Sequence, residues 1–428
     1  MIHGTPRRAT FGVVLLGAAT LTGAADWPQW RGPEANGLSR ETGLPLRWSR
    51  EQNVVWSLPM PGPSGSTPIV SGDRIFLNAA EGDNLALWCV GRAKGVLLWK
   101  RPLGAGNVTL RKHNMSSPSP VTDGKTVFVM TGTGVLKAFD LQGGERWARD
   151  LQKEYGRFGL NWGYASSPLL EAGALYVQVL HGMKTDDPSY VLRIDPASGK
   201  NVWRVERKTA AVSESPDAYT TPLVVRVAGA TEIVVTGGDV VTGHDPATGK
   251  ELWRAEGLNP TNDPYYRIVA SPVAVKDVVF APSRVRPLLA LRAGGRGDVT
   301  SSRKLWSFDQ GPDVPTPATD GTYLYLVNDK GIAWCLDVLT GKALYGPQRL
   351  APGTYSASPV VADGRVYVTS EDGITSVYKA GPAFELLAEN PLEDVTISSP
   401  AVAGGRLYLR TAHKLWALGN VAKASASQ

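Results

Sequence analysis

The residues best suited to chemistry fall in short stretches unlike one another: His113-Asn114, Asn161-Trp162-Gly163-Tyr164, Asp217 with Tyr219, Tyr265-Tyr266-Arg267, Asp313, Tyr355, and Asp394 with Thr396. Each stands a few residues before a proline. Aromatic faces beside Asn, Asp and Arg are what a site for a sugar or a flat anionic ligand uses, through stacking and charge-assisted hydrogen bonds. Long loops over an opening are polar and aromatic in any case, and that plainer reading stands beside the first. Two insertions add candidates. His181 with Asp186 and Asp187 could hold a metal, although one histidine and two loop carboxylates read better as a solvated loop. Arg284 and Arg286 could grip a carboxylate bidentately.

Catalytic signatures are missing. There is no Gly-x-Ser-x-Gly elbow, His-Glu-x-x-His, Cys-x-x-Cys-His or phosphate loop, and Gly132-Thr133-Gly134 lacks a third glycine. No catalytic or metal-binding residue is therefore assigned.

The candidates are carried by a repeat. Each unit opens with a small residue and a proline, at Pro68, Pro118, Pro168, Pro222, Pro272, Pro317, Pro359 and Pro400, spaced by 50, 50, 54, 50, 45, 42 and 41 residues. An apolar run, a turn such as Asp123-Gly124, Asp320-Gly321, Asp363-Gly364 or Gly404-Gly405, and an alternating strand follow; Asp-Gly between apolar runs signals a hairpin. A third strand ends near Asp140, Asp195, Asp245 or Asp337, and a fourth carries Trp99, Trp147, Trp203, Trp253 or Trp306, with Tyr345 and Leu387 at that place in repeats six and seven. Four short antiparallel strands per unit make a blade, and one blade cannot bury its own apolar face. The eighth repeat stops after three strands, and Asn53 to Leu58 matches the missing fourth. The expectation is an all-β, eight-bladed β-propeller of four-stranded antiparallel blades, closed by an N-terminal strand. The segments just before each proline should then ring the mouth of its channel.

The pattern Ala-x-Asp-x-x-Thr-Gly-Lys-x-x-Trp, best kept at Asp195 to Trp203 and Asp245 to Trp253, resembles the pyrroloquinoline quinone (PQQ)-like propeller repeat with its tryptophan-docking motif. Asp26-Trp27-Pro28-Gln29-Trp30-Arg31-Gly32-Pro33 resembles the mature start of many secreted bacterial propellers. The resemblance implies the fold from Asp26 to about Leu418. For function it implies quinoprotein dehydrogenases, outer-membrane assembly lipoproteins of the BamB type, or members of unknown role. The dehydrogenases use an adjacent cysteine pair over the quinone, a Glu, Asn and Asp on calcium, and an Asp base. Here Cys89 and Cys335 stand alone, on blades too far apart for a disulfide, so two buried free thiols are expected. None of the dehydrogenase residues is carried over.

Arg7-Arg8, the apolar run Phe11 to Leu21 and Gly23-Ala24-Ala25 form the layout of a signal peptide, 1–25, too short to span a bilayer. An arm, 26–50, the propeller, 51–420, and a disordered tail, 421–428, follow. The formal charge of +6 becomes 6 − 2 = +4 without the two leader arginines, and the basic residues are scattered, so nucleic-acid binding has no support. The recurring tryptophans and turn aspartates are read as structural. The functional expectation is an exported, soluble, monomeric binding or scaffolding module. Its ligand would be a carbohydrate, a small anion or a cell-envelope protein, held around His113, Asn114, Trp162, Tyr164, Asp217, Tyr219, Tyr266, Arg267, Arg284, Asp313, Tyr355, Asp394 and Thr396. The alternative is a PQQ- and calcium-dependent dehydrogenase of an alcohol or sugar.

Overall fold

The computed structural model describes Met1 and residues 26–421. The expected signal peptide and tail lie outside the described residues, apart from Met1 and Val421.

Eight sheets, each with four antiparallel strands, succeed one another along the chain, so the fold is an eight-bladed β-propeller. In blade seven the strands are Val360–Ala362, Arg365–Thr369, Ile374–Lys379 and Leu386–Pro391. The eighth blade has three strands from the C-terminal end, and its fourth is Val54–Pro59, which pairs antiparallel with Lys414–Leu418. That strand is the outer edge of the blade, so the two ends of the chain are joined in one sheet and the ring is closed.

The hairpin turns divide by chemistry. Asp363-Gly364 and Gly404-Gly405 have positive φ at both central residues (51° and 69°; 60° and 68°), the backbone that favours glycine and aspartate in tight hairpins. Asp123 and Asp320 instead use their carboxylates, each accepting two backbone N–H groups of its own turn at 2.7–2.9 Å.

The second opening proline is Pro120, not Pro118. The strand that matches Ile69–Ser71 and Leu169–Glu171 begins at Val121, directly after Pro120. Ser117-Pro118-Ser119-Pro120 offers the same dipeptide twice, and sequence alone does not choose between them.

The tryptophans join neighbouring blades. Trp147 and Trp203 donate their indole N–H to Pro196 O and Pro246 O of the next blade, at 2.8 and 2.9 Å. Each indole lies on the glycine of that blade's turn; a Cβ on Gly199 would come within 2.6 Å of Trp147, and one on Gly249 within 2.7 Å of Trp203. The turn aspartates cap those turns, as Asp337 does by accepting the N–H groups of Leu339 and Thr340. Trp253 departs from the pattern by donating to Glu232 of its own blade at 2.7 Å. Blade five has no docking turn to offer it, because Gly297–Asp298 folds back and pairs in parallel with Glu251–Ala255, adding a fifth strand to blade four.

Cys89 and Cys335 are buried free thiols in different blades, and burial pushes both up to about 12. No helix of the described residues is long and apolar enough to cross a membrane.

The arm crosses one end of the channel. Trp27 exchanges backbone hydrogen bonds with Val70 of blade one, and Thr122 of blade two donates to Pro28 O. Across the ring, Thr319 of blade six donates to Asn36 O, and Val361 of blade seven bonds with Gly37 and Ser39. Between these anchors Gln29, Trp30 and Arg31 flank Pro168, Thr221, Pro222, Ser271 and Pro272 of blades three to five. Trp27 is buried against Gly32, whose φ of 81° suits the tight turn and whose missing side chain leaves room for the indole. Arg31 is buried and donates to Pro359 O and Pro317 O, both at 2.8 Å. Its guanidinium meets no carboxylate among the described residues, and burial lowers its pKa to about 9.

Candidate functional site

The first strand of every blade runs from the open end of the channel toward the arm, and alternate side chains face inward. The last residue before each opening proline is Ser or Thr, and these hydroxyls bind the ring together. The amide of Thr67 donates to Ser119 Oγ, that of Ser119 to Ser167, and so on through Thr221, Ser271, Thr316, Ser358 and Ser399, at 2.8–3.2 Å. The eighth junction is made differently, by Ser398 Oγ to Ser66 O at 3.0 Å. Two residues nearer the mouth lies a more individual tier that includes Gly65, Ser117, Ala165, Tyr219, Val269, Val314, Ser356 and Ile397.

These tiers enclose a cavity of about 270 Å³. Trp30 of the arm contributes to its lining at one end, and Arg111, Lys112, His113, Trp162 and Arg267 do so at the other. The channel is therefore a cup. All the charged residues in its lining are basic. The acids stand behind them: Glu371 meets Lys112 at 2.7 Å, while Asp313 and Glu214 meet Arg267 at 3.5 and 4.0 Å. Burial raises the Asp313 carboxyl above the usual range, and its Oδ1 has no hydrogen-bond partner among the described residues. Arg111 is exposed and has no ion pair among the described residues.

Of the expected site residues, His113, Trp162, Tyr219 and Arg267 come together here, with Asp313 behind Arg267. His113 approaches Trp162 O at 2.6 Å through Nε2, and burial lowers its pKa. Trp162 is held by Glu214, which accepts its indole N–H at 2.7 Å, and by Tyr219 Oη, which accepts its amide at 3.1 Å.

The other expected residues are placed elsewhere. Asp217 is fully buried, and its carboxylate accepts the amides of Asn161, Gly182 and Met183 at 2.6–3.1 Å. It braces the Trp162 loop and the His181 insertion, and burial raises its pKa to about 6. Asn114 caps its own loop, accepting from Ser116 and donating to Pro63 O. Tyr164, Tyr355 and Thr396 are buried with hydroxyls given to Gln178 O, Ala351 O and Arg410 O. Tyr266 donates to Arg286 O, and Arg284 meets Tyr265 O and Asp263 outside the cavity. Asp394 is bound to His413 at 2.9 Å.

Proline distance separates most of these cases. Tyr219 and Arg267 lie three and five residues before Pro222 and Pro272, on the inward parity; Tyr164, Tyr355 and Thr396 lie four before theirs, and Tyr266 six. Sequence reasoning also missed Trp30, Arg111 and Lys112. The basic run Arg111-Lys112-His113 was a usable signal, whereas Trp30 arrives from a distant part of the chain.

The His181 insertion gathers no cluster of metal-ligating side chains among the described residues. His181 Nδ1 accepts the Gly159 amide at 3.0 Å, and no group of three or more His, Cys, Asp or Glu side chains is gathered among the described residues.

Residues 48–157 and 89–345 match the family described as "Outer membrane protein assembly factor BamB". The chain belongs to this BamB-type, PQQ-like propeller family. No curated protein matches it. Solved structures share the BamB-type ring at low identity. BamB from Moraxella catarrhalis is 15% identical with a TM-score of 0.59, covering 85% of this chain and 99% of that one. A europium-containing methanol dehydrogenase is 12% identical with a TM-score of 0.70, covering 91% and 90%. The quinohemoprotein alcohol dehydrogenase from Comamonas testosteroni is 13% identical with a TM-score of 0.66, covering 94% and 82%. These likenesses concern the fold.

The BamB-type fold leaves a quinone to be tested against the residues present. Among the described residues, the cavity lining has no carboxylate to hold calcium or serve as a base, and no cysteine. Its donors are cationic or hydroxylic, so they do not fit a calcium-held quinone, and no step through that cofactor is derived.

Proposed function

We propose that this chain is a non-catalytic binding module of the cell envelope that takes a small anionic ligand through the single mouth of its channel. One observation carries the reading: every charged residue lining the blind cavity is basic, and the acids that balance them are turned behind. In a partly desolvated cup such cations attract an anion more strongly than they would in open water. The BamB-type family supports the envelope location and leaves the blade rims free for a protein partner.

The test is a thermal-shift series on the chain starting at Asp26, with small carboxylates, phosphate, neutral sugars, and PQQ with and without calcium. A ligand at 100 times its Kd adds about 2.7 kcal/mol of stability. Stabilisation by anions over neutral sugars is expected. Calcium-dependent stabilisation by micromolar PQQ, with the anions inert, would overturn the reading in favour of a quinoprotein dehydrogenase.

A further inference from the structure

We infer that the ligand is an acidic monosaccharide, held with its carboxylate toward the mouth and its hydroxyls toward the arm. The inference rests on the reading of the cavity as a small-anion site and adds the chemistry of its depth.

The deep wall is a collar of hydroxyls rather than charges. Ser119, Ser167, Thr221, Thr316, Ser358 and Ser399 each accept one backbone amide, and none donates its proton to a protein acceptor among the described residues. Every one keeps an O–H donor and a second lone pair. Ser117, one tier nearer the mouth, is 8% exposed, and its Oγ has no partner at all among the described residues.

Groups that can both donate and accept match the hydroxyls of a sugar. A simple carboxylate, which only accepts, would use half of that capacity. Between collar and rim, Val269, Val314, Ile397 and Tyr219 offer apolar and aromatic surface to the C–H faces of a pyranose, and Trp30 adds an aromatic face at the arm end. At the rim Arg111, Lys112 and Arg267 stand where a carboxylate leaving the cup would meet them. With the arm crossing the far end and Trp30 lining the cavity there, the site suits a free sugar or a chain terminus better than the middle of a polymer.

The experiment is saturation-transfer NMR with glucuronate, galacturonate, glucose and glutarate, on the wild type, Ser117→Ala and the double variant Arg111→Ala/Lys112→Ala. A uronate is expected to bind at least tenfold more tightly than both glucose and glutarate. Ser117→Ala should weaken the uronate severalfold and leave glutarate unchanged, while the double variant weakens both acids. Glutarate binding as well as the uronates would overturn the sugar inference and leave the anion reading standing. Glucose binding as well as the uronates, or no binding by any of the four, would overturn both.

Discussion

The two ends of the channel use the same kind of side chain for opposite purposes. At the closed end Arg31 is buried and spends its donors on Pro317 O and Pro359 O, tying the arm to blades six and seven. At the open end Arg111 is exposed and unpaired among the described residues, and Lys112 pairs with Glu371. A cation whose hydrogen bonds end on carbonyls is part of the scaffold; one facing a cavity is available to a ligand. Residue type does not separate the two, but what the guanidinium touches does.

Substitution should separate the ends most strongly. Arg31→Ala leaves two carbonyls without their charged donor and should cost about 3–5 kcal/mol in urea unfolding, whereas Arg111→Ala should stay within about 0.5 kcal/mol. Equal costs would erase the distinction. Trp27→Ala, which empties a buried site beneath blade one, should cost about 3–5 kcal/mol.

The next effect concerns a buried carboxylate behind the Trp162 loop, away from the cavity. Asp217 has a folded pKa near 6 against 3.8 unfolded, so the folded state holds the extra proton between those values. Its contribution is fully present below pH 3.8 and lost as pH rises through 6, up to about 3 kcal/mol. Stability measured from pH 4 to 6 should show that fall, and Asp217→Asn should flatten it. An unchanged slope in the variant would remove the assignment.

The smallest expected effect concerns the thiols. Cys89 and Cys335 are fully buried and held protonated, so a thiol reagent at neutral pH should label neither until the protein unfolds. Rapid labelling of the native protein would show that a blade opens locally.

The ring was legible because its signals are local and repeated. Proline, turn and tryptophan recur together, and the strand that closes the ring matched a pattern already seen several times. The site was legible only in part. His113, Trp162, Tyr219 and Arg267 were visible as departures from the repeat. Tyr164, Tyr355 and Thr396 were the same kind of departure, yet strand alternation turned them into the packing between blades. Asp217 was misread for another reason: its carboxylate is consumed by three amides from two loops, which no spacing announces. Trp30 escaped because a floor made by an N-terminal arm depends on contacts across the whole ring, and Pro120 was hidden by its neighbour Pro118.

The most direct test of the blind, cationic cup is isothermal titration of small carboxylates against the wild type, Arg111→Ala/Lys112→Ala and Trp30→Ala, each at low and high salt. The account predicts saturable binding to one site that weakens with salt, falls about tenfold or more in the double variant, and is reduced by Trp30→Ala, which removes an aromatic wall from the cavity. Binding indifferent to salt and to all three substitutions would place the ligand outside the channel and contradict the account.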